Sequence, residues 1–185
     1  MTTARQLSTE ELEQGLDIIL QSPKDDGTLE LIVRRPDVEQ REAISEGRLD
    51  AEKGLVGDSW LGRGNRKMPD GTADPEKQLT IMNSRIVALV ADDPDRRELA
   101  GDQLYLDMDL SSENLPPGTR LAIGDAVIEV AKPPHTGCKK FVARFGKDAV
   151  LFVNAGMGKK LNFRGINAKV IQSGDIKVGD VARKL

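Results

Sequence analysis

The sequence predicts a mainly β fold, a small barrel carrying peripheral helices, and three observations support that reading. Apolar residues alternate with polar ones in several short runs, as in "GDQLYLDMDL", where Leu104, Leu106, Met108 and Leu110 fall in step. A period of two marks half-buried strands. Gly-Asp pairs punctuate the second half of the chain: Gly124-Asp125 between "TRLAI" and "AVIEVA", then Gly174-Asp175 and Gly179-Asp180. Such pairs supply the backbone freedom of tight hairpins. Segments with a helical period are few and separated, which places helices around a closed sheet rather than in its place.

In chain order, "STEELEQGLDIILQSP" opens with a helix: Ser8 and Glu11 make the capping-box pattern, Leu12, Leu16 and Ile19 share a face, and Pro23 ends it. "TLELIVRRP" predicts a strand with Leu29, Leu31 and Val33 on one side, closed by Pro36. "DVEQREAISEG" predicts a short helix ending at Gly47. From Gly54 to Pro75 the chain is rich in Gly, Pro, Asp and Arg and predicts a long loop, of the kind that in a compact domain carries function or stays disordered. "QLTIMNSRIVALVADDP" reads as a strand running into a helix. "CKKFVARFGKDAVLFVN" has helical spacing, with Phe141, Val142 and Phe145 on one stripe and a break at Gly146. "INAKVIQSGDIKVGDVARKL" returns to strands and turns. No internal repeat appears.

A chain of 185 residues is one domain by the usual size prior and buries a substantial core without crosslinks. Its single cysteine makes no internal disulfide. No apolar run approaches the roughly 20 residues that cross a bilayer, and no basic-then-apolar leader opens the chain. The expectation is a soluble, cytoplasmic protein with no membrane partner.

The net charge of −3 hides an uneven distribution. Between Lys132 and Gln172, nine basic residues stand against one acid, Asp148. Such asymmetry points to an anionic partner for the basic segment. Nucleic acid is not expected: the pI is about 5.4, and one Trp, one Tyr and four Phe make a poor stacking platform.

The basic segment begins at "PPHTGCKKF", which holds the only histidine and the only cysteine, His135 and Cys138. Lys139 and Lys140 follow at once, and nearby positive charge favours the thiolate, the form that attacks electrophiles and binds soft metals. Pro133-Pro134 closes the preceding strand and a helix starts just beyond, so the thiol is expected near a helix N-terminus, where orphan amides favour thiolate and phosphate alike. A buried, inert cysteine beside a turn histidine is the plain alternative.

Four stretches, "GLVGDSW", "KQLTIMN", "PPHTGCKKFVARFG" and "FRGINAKVIQSGDIKVGD", resemble the MOSC domain, named for the C-terminal domain of molybdenum-cofactor sulfurases and found also in stand-alone proteins. The resemblance covers most of the chain after residue 28, dividing it into an N-terminal helical extension, 1–27, and a MOSC domain, 28–185. It implies a MOSC-type β-barrel with peripheral helices and gives Cys138 the family's characteristic role, carrying sulfur or ligating molybdenum in a pyranopterin cofactor. The cofactor's phosphate or nucleotide tail is then a partner for the basic residues: Arg144 and Arg164, whose forked guanidinium suits a phosphate, with Lys139 and Lys140, and Arg63 and Arg66 from the long loop. Asp58, in "GLVGD", and Asn114, in "SSENLPP", are further candidates for the cofactor, each also readable as a turn residue. His135 is expected to pass a proton to substrate.

The family's association with pyridoxal phosphate comes through a desulfurase domain for which this chain shows no counterpart, and the longer N-terminal barrel of amidoxime-reducing enzymes is likewise not seen. Two functions follow from the resemblance. One is a molybdenum-dependent oxidoreductase reducing N-hydroxylated compounds, with electrons from a separate flavin or iron–sulfur protein. The other is a sulfur carrier holding a persulfide on Cys138, loaded by a sulfur-donor protein.

Overall fold

The alternating segments pair into a sheet that closes on itself in the computed structural model, which describes residues 5–137 and 139–185. The strands are β1 (Gly27–Arg34), β2 (Glu42–Ile44), β3 (Glu46–Asp50), β4 (Gly54–Leu55), β5 (Leu79–Asn83), β6 (Leu104–Asp107), β7 (Arg120–Ile123), β8 (Ala126–Pro134), β9 (Ile166–Gln172), β10 (Gly174–Lys177) and β11 (Val181–Lys184). The large sheet runs β11-β7-β8-β9-β5-β6-β1-β2, and β11 pairs again with β1. Among the described residues, seven strands therefore close a barrel and β2 lies outside the closure. A second sheet, β10-β3-β4, sits beside it. The β7–β8 hairpin turns on Gly124-Asp125, with Ile123 opposite Ala126 and Gly124 at φ 55°, a conformation that glycine adopts without a Cβ clash.

Helices lie on the outside: α1 (Thr9–Gln14), α2 (Leu16–Leu20), α3 (Trp60–Arg63), α4 (Ser84–Ala91), α5 (Lys139–Asn154) and α6 (Gly156–Lys160). Ser8 and Glu11 form the capping box of α1. The helical run then breaks at Gly15, where a Cβ would stand 2.6 Å from the Leu89 side chain of α4. In α5 the expected break at Gly146 is present (φ 92°). β5 and β6 are the parallel pair, and their crossover is α4 followed by a 3-10 helix, Pro94–Ala100.

The barrel wall separates two apolar clusters. Leu29, Ile32, Leu104, Leu106, Leu121, Ile128 and their neighbours fill the lumen. Leu12, Val33, Met82, Ile86, Tyr105, Phe141 and Phe145 pack between wall and helices. β6 is consequently buried on both faces, with Leu104 and Leu106 facing in and Tyr105 facing out.

Three local expectations are corrected. The short helix over 37–47 is absent: 42–44 and 46–50 are strands, Ile44 pairing opposite Ile32 and Gly47 opposite Ile176. Open strand edges outweighed the modest helix propensity of Glu, Gln and Arg there. Leu29, Leu31 and Val33 do not share a side, because a register shift between Leu29 and Leu31 turns the strand, as bulges do; Leu29 and Ile32 face the lumen, Leu31 and Val33 the helices. In α5, Phe141 and Phe145 are buried but Val142, one position on, is 37% exposed.

Candidate functional site

The 3-10 helix Pro94–Ala100 enters β6 through Gly101, and its end presents carbonyls that no following turn satisfies. Three arginines from distant parts of the chain meet three consecutive carbonyls. Arg144 Nη1 donates to Leu99 O (2.8 Å), Arg164 Nη2 to Ala100 O (3.1 Å) and Arg35 Nη1 to Gly101 O (2.9 Å). Cations are favoured at the negative end of a helix. Gly101 has φ 88°, and at the position its missing Cβ would take, Arg41 Nη2 is 3.6 Å and Arg144 Nη1 3.8 Å away. Arg144 Nη2 also bonds Glu39 (2.6 Å), which is shared with Lys140. These two cations, Lys140 first, bring the Glu39 carboxyl down to about 2.

Asp102, the next residue, is fully buried. Its Oδ2 accepts from Arg164 Nη1 (2.7 Å), its Oδ1 is 2.9 Å from His135 Nε2, and its backbone N–H donates to the Tyr105 hydroxyl (3.2 Å). Burial works to raise the Asp102 carboxyl, but the charge of Arg164 above all, with hydrogen bonds from His135 and Arg164, holds it below the usual range. Burial, then the Arg164 charge, push His135 below the usual histidine value, with Asp102 only partly opposing them; the ring is neutral at pH 7. Burial first, and Asp102 second, raise the Tyr105 phenol. Arg164 also lies over the Phe141 ring, 4.9 Å from its centroid, a favourable cation–π contact. The result is a shelf of guanidinium groups with a neutral imidazole at its edge.

The sequence profile of the MOSC domain matches residues 69–183, more than half of the chain. The protein belongs to the MOSC domain family. Solved structures of similar fold include the YUAD protein from Bacillus subtilis (17% identity, 84% of this chain and 93% of that one, TM-score 0.58). YiiM from Escherichia coli (21% identity, 85% and 69%, TM-score 0.53) and YiiM from Geobacillus stearothermophilus (13% identity, 87% and 73%, TM-score 0.53) are similar as well. At these identities the likeness is one of fold. No curated protein matches the chain.

Within this MOSC domain the expected site residues part company. His135, Arg144 and Arg164 converge on residues 99–102, and Lys140 joins them through Glu39. Lys139 and Arg66 are exposed. Arg63, at the end of α3, is exposed as well. The Asp58 carboxylate is buried with both oxygens occupied: Arg35 Nε at 2.8 Å and Nη2 at 2.9 Å, plus the N–H groups of Arg35 and Trp60. Its carboxylate ties the long loop to the end of β1. Asn114 spends its amide on the carbonyls of Lys24 and Asp109 and receives Lys184 Nζ on its oxygen, the turn role. Cys138 lies outside the described residues; before it, the Gly137 N–H donates to Asn154 Oδ1 (3.0 Å). No group of three His, Cys, Asp or Glu among the described residues could hold a metal, and no helix of theirs is long and apolar enough to cross a membrane.

Arg35, Arg41 and Asp102 were not anticipated. Gly101-Asp102 looks in sequence like every other Gly-Asp turn, while Arg35 precedes and Arg41 lies within a segment read as helix. The available signal was "GDQ" standing immediately before an apolar strand, a place where an acid is buried only if it is paired.

Proposed function

We propose that this MOSC protein binds an anionic, phosphate-bearing pyranopterin cofactor carrying molybdenum, with Cys138 as the metal's protein ligand, and acts as an oxidoreductase on N-hydroxylated compounds. The observation that supports the reading is the unpaired part of the guanidinium shelf. Arg41 Nε and Arg164 Nε are buried without a hydrogen-bond partner among the described residues. Burial, then the charges of Arg144 and Arg35, lower the Arg41 pKa. Crowded like charges with unmet donors are what a phosphate oxygen relieves, and the space beside Gly101 that a Cβ would fill lies next to Arg41 and Arg144. The residues present therefore fit such a group.

When bound, the cofactor supplies two-electron redox chemistry at the metal. The chain's own residues do the rest. Arg41 and Arg144 hold the anionic end, Cys138 contributes a soft thiolate, and His135 exchanges a proton with substrate. Electrons come from a separate donor protein.

The test is elemental. Protein purified from a host that makes the cofactor should carry molybdenum, Cys138→Ser should lose it with the fold intact, and Arg41→Ala should lose it more readily as salt is raised. Equal metal in wild type and Cys138→Ser removes the cysteine from the site. Sulfane sulfur on wild type without metal makes the protein the persulfide carrier instead.

A further inference from the structure

We infer that Asp102 is a positioning residue that holds His135 as the Nε2–H tautomer, leaving Nδ1 as a lone-pair proton acceptor. For its use in chemistry this rests on the site reading above, but it reverses the direction of proton transfer expected from sequence. The geometry supplies the argument. Asp102 Oδ2 is committed to Arg164 Nη1 at 2.7 Å, which keeps the carboxyl ionised. An ionised carboxylate only accepts hydrogen bonds, so the nitrogen facing Oδ1 at 2.9 Å must be the one that carries the proton. That nitrogen is Nε2. A neutral imidazole then has its lone pair on Nδ1, which has no hydrogen-bond partner among the described residues.

The surroundings lock the ring. The Asp102 side chain has no exposed surface and that of His135 only 18%. Gly165 lies against its Cδ2, 3.4 Å from where a Cβ would stand, so Gly165 and Asp102 together define one edge of the imidazole. His135 also lines a cleft of about 90 Å³ with Pro133, Pro134 and Asn162, room for a few water-sized groups beside it. In the step so enabled, a ligand X–H gives its proton to Nδ1, the ring becomes an imidazolium with both nitrogens protonated, and Asp102 stabilises that charge while remaining a carboxylate. Arg164 is the third member: it holds Asp102 as Asp102 holds His135.

Because His135 is the only histidine, nitrogen-15 NMR of the full chain, expressed without a histidine tag, reads this ring alone and needs no cofactor. At pH 7 the wild type should show a protonated, exchange-protected Nε2 and an unprotonated Nδ1. In Asp102→Asn the amide oxygen stays on Arg164, so the NH2 group faces Nε2 and the ring should switch to the Nδ1–H tautomer. An Nδ1–H ring or an imidazolium in wild type at pH 7, or an unchanged tautomer in Asp102→Asn, overturns the assignment. Should Asp102→Asn not fold, wild type alone decides: an Nε2 proton in fast exchange with solvent overturns it and a protected one supports it. Failure here leaves the cofactor reading standing, and an absence of metal in the loading test leaves this one standing.

Discussion

Leu106 and Asp102 lie four residues apart and both are fully buried, yet they are held in opposite ways. Leu106 sits in the barrel lumen among other aliphatic side chains, where contact is non-directional and any side chain of similar volume and shape is tolerated. Asp102 sits at the shelf, where each oxygen has one assigned donor from a distant part of the chain and removal of one partner strands a charge. Burial alone thus says little about a site; the lumen is built by volume and the shelf by pairing.

Three perturbations test that contrast, beginning with the largest. Arg35→Ala leaves the buried Asp58 carboxylate without its bidentate partner and frees Gly101 O; it should cost about 3–5 kcal/mol in denaturant unfolding. A loss under about 1 kcal/mol would mean the shelf is not held by pairing. Leu106→Ala should cost roughly 3 kcal/mol by lost transfer and a residual cavity, and Leu106→Met much less, since the lumen asks mainly for volume. Equal losses in the two variants would show a lumen as specific as the shelf.

Acidification should give the smallest effect and reach the shelf but not the lumen. His135 has a native pKa below its unfolded value, so the unfolded chain takes its proton first as pH falls. Its stabilisation is complete above the unfolded value of about 6.5 and is lost as pH falls through the native one. Asp102, also depressed, adds a further loss of the same sign in the acid range. His135→Gln should flatten the upper part of the decline, measured as unfolding midpoint against pH, whereas Leu106→Ala should lower the whole curve without changing its shape. A His135→Gln curve parallel to wild type would remove the histidine from the linkage.

The elements legible in sequence were those whose rules are local. The capping box at Ser8, the Gly124-Asp125 hairpin, the strand-to-helix passage over 79–91 and the break at Gly146 each depend on residues within a turn or two of one another. The barrel class followed because periods and turns repeat along the chain, and the choice of "PPHTGCKKF" as the place to look followed from one histidine, one cysteine and a basic run. The residues of the shelf were only half visible. Arg144 and Arg164 stood out as basic residues, but nothing near Asp102 announces that it will meet a histidine 33 positions away and an arginine 62 positions away.

Composition and period alone determined, then, that this chain closes a barrel with helices outside it and carries a thiol, an imidazole and a basic segment together. Tertiary structure decided that residues 42–50 are strand rather than helix, that Asp58 clamps a loop, and that Asp102 joins His135 to Arg164. The physical reason is common to all three. Strand edges, buried charges and orphan carbonyls are satisfied by whichever partner the closed fold brings within about 3 Å, and sequence order carries no record of which partner that will be.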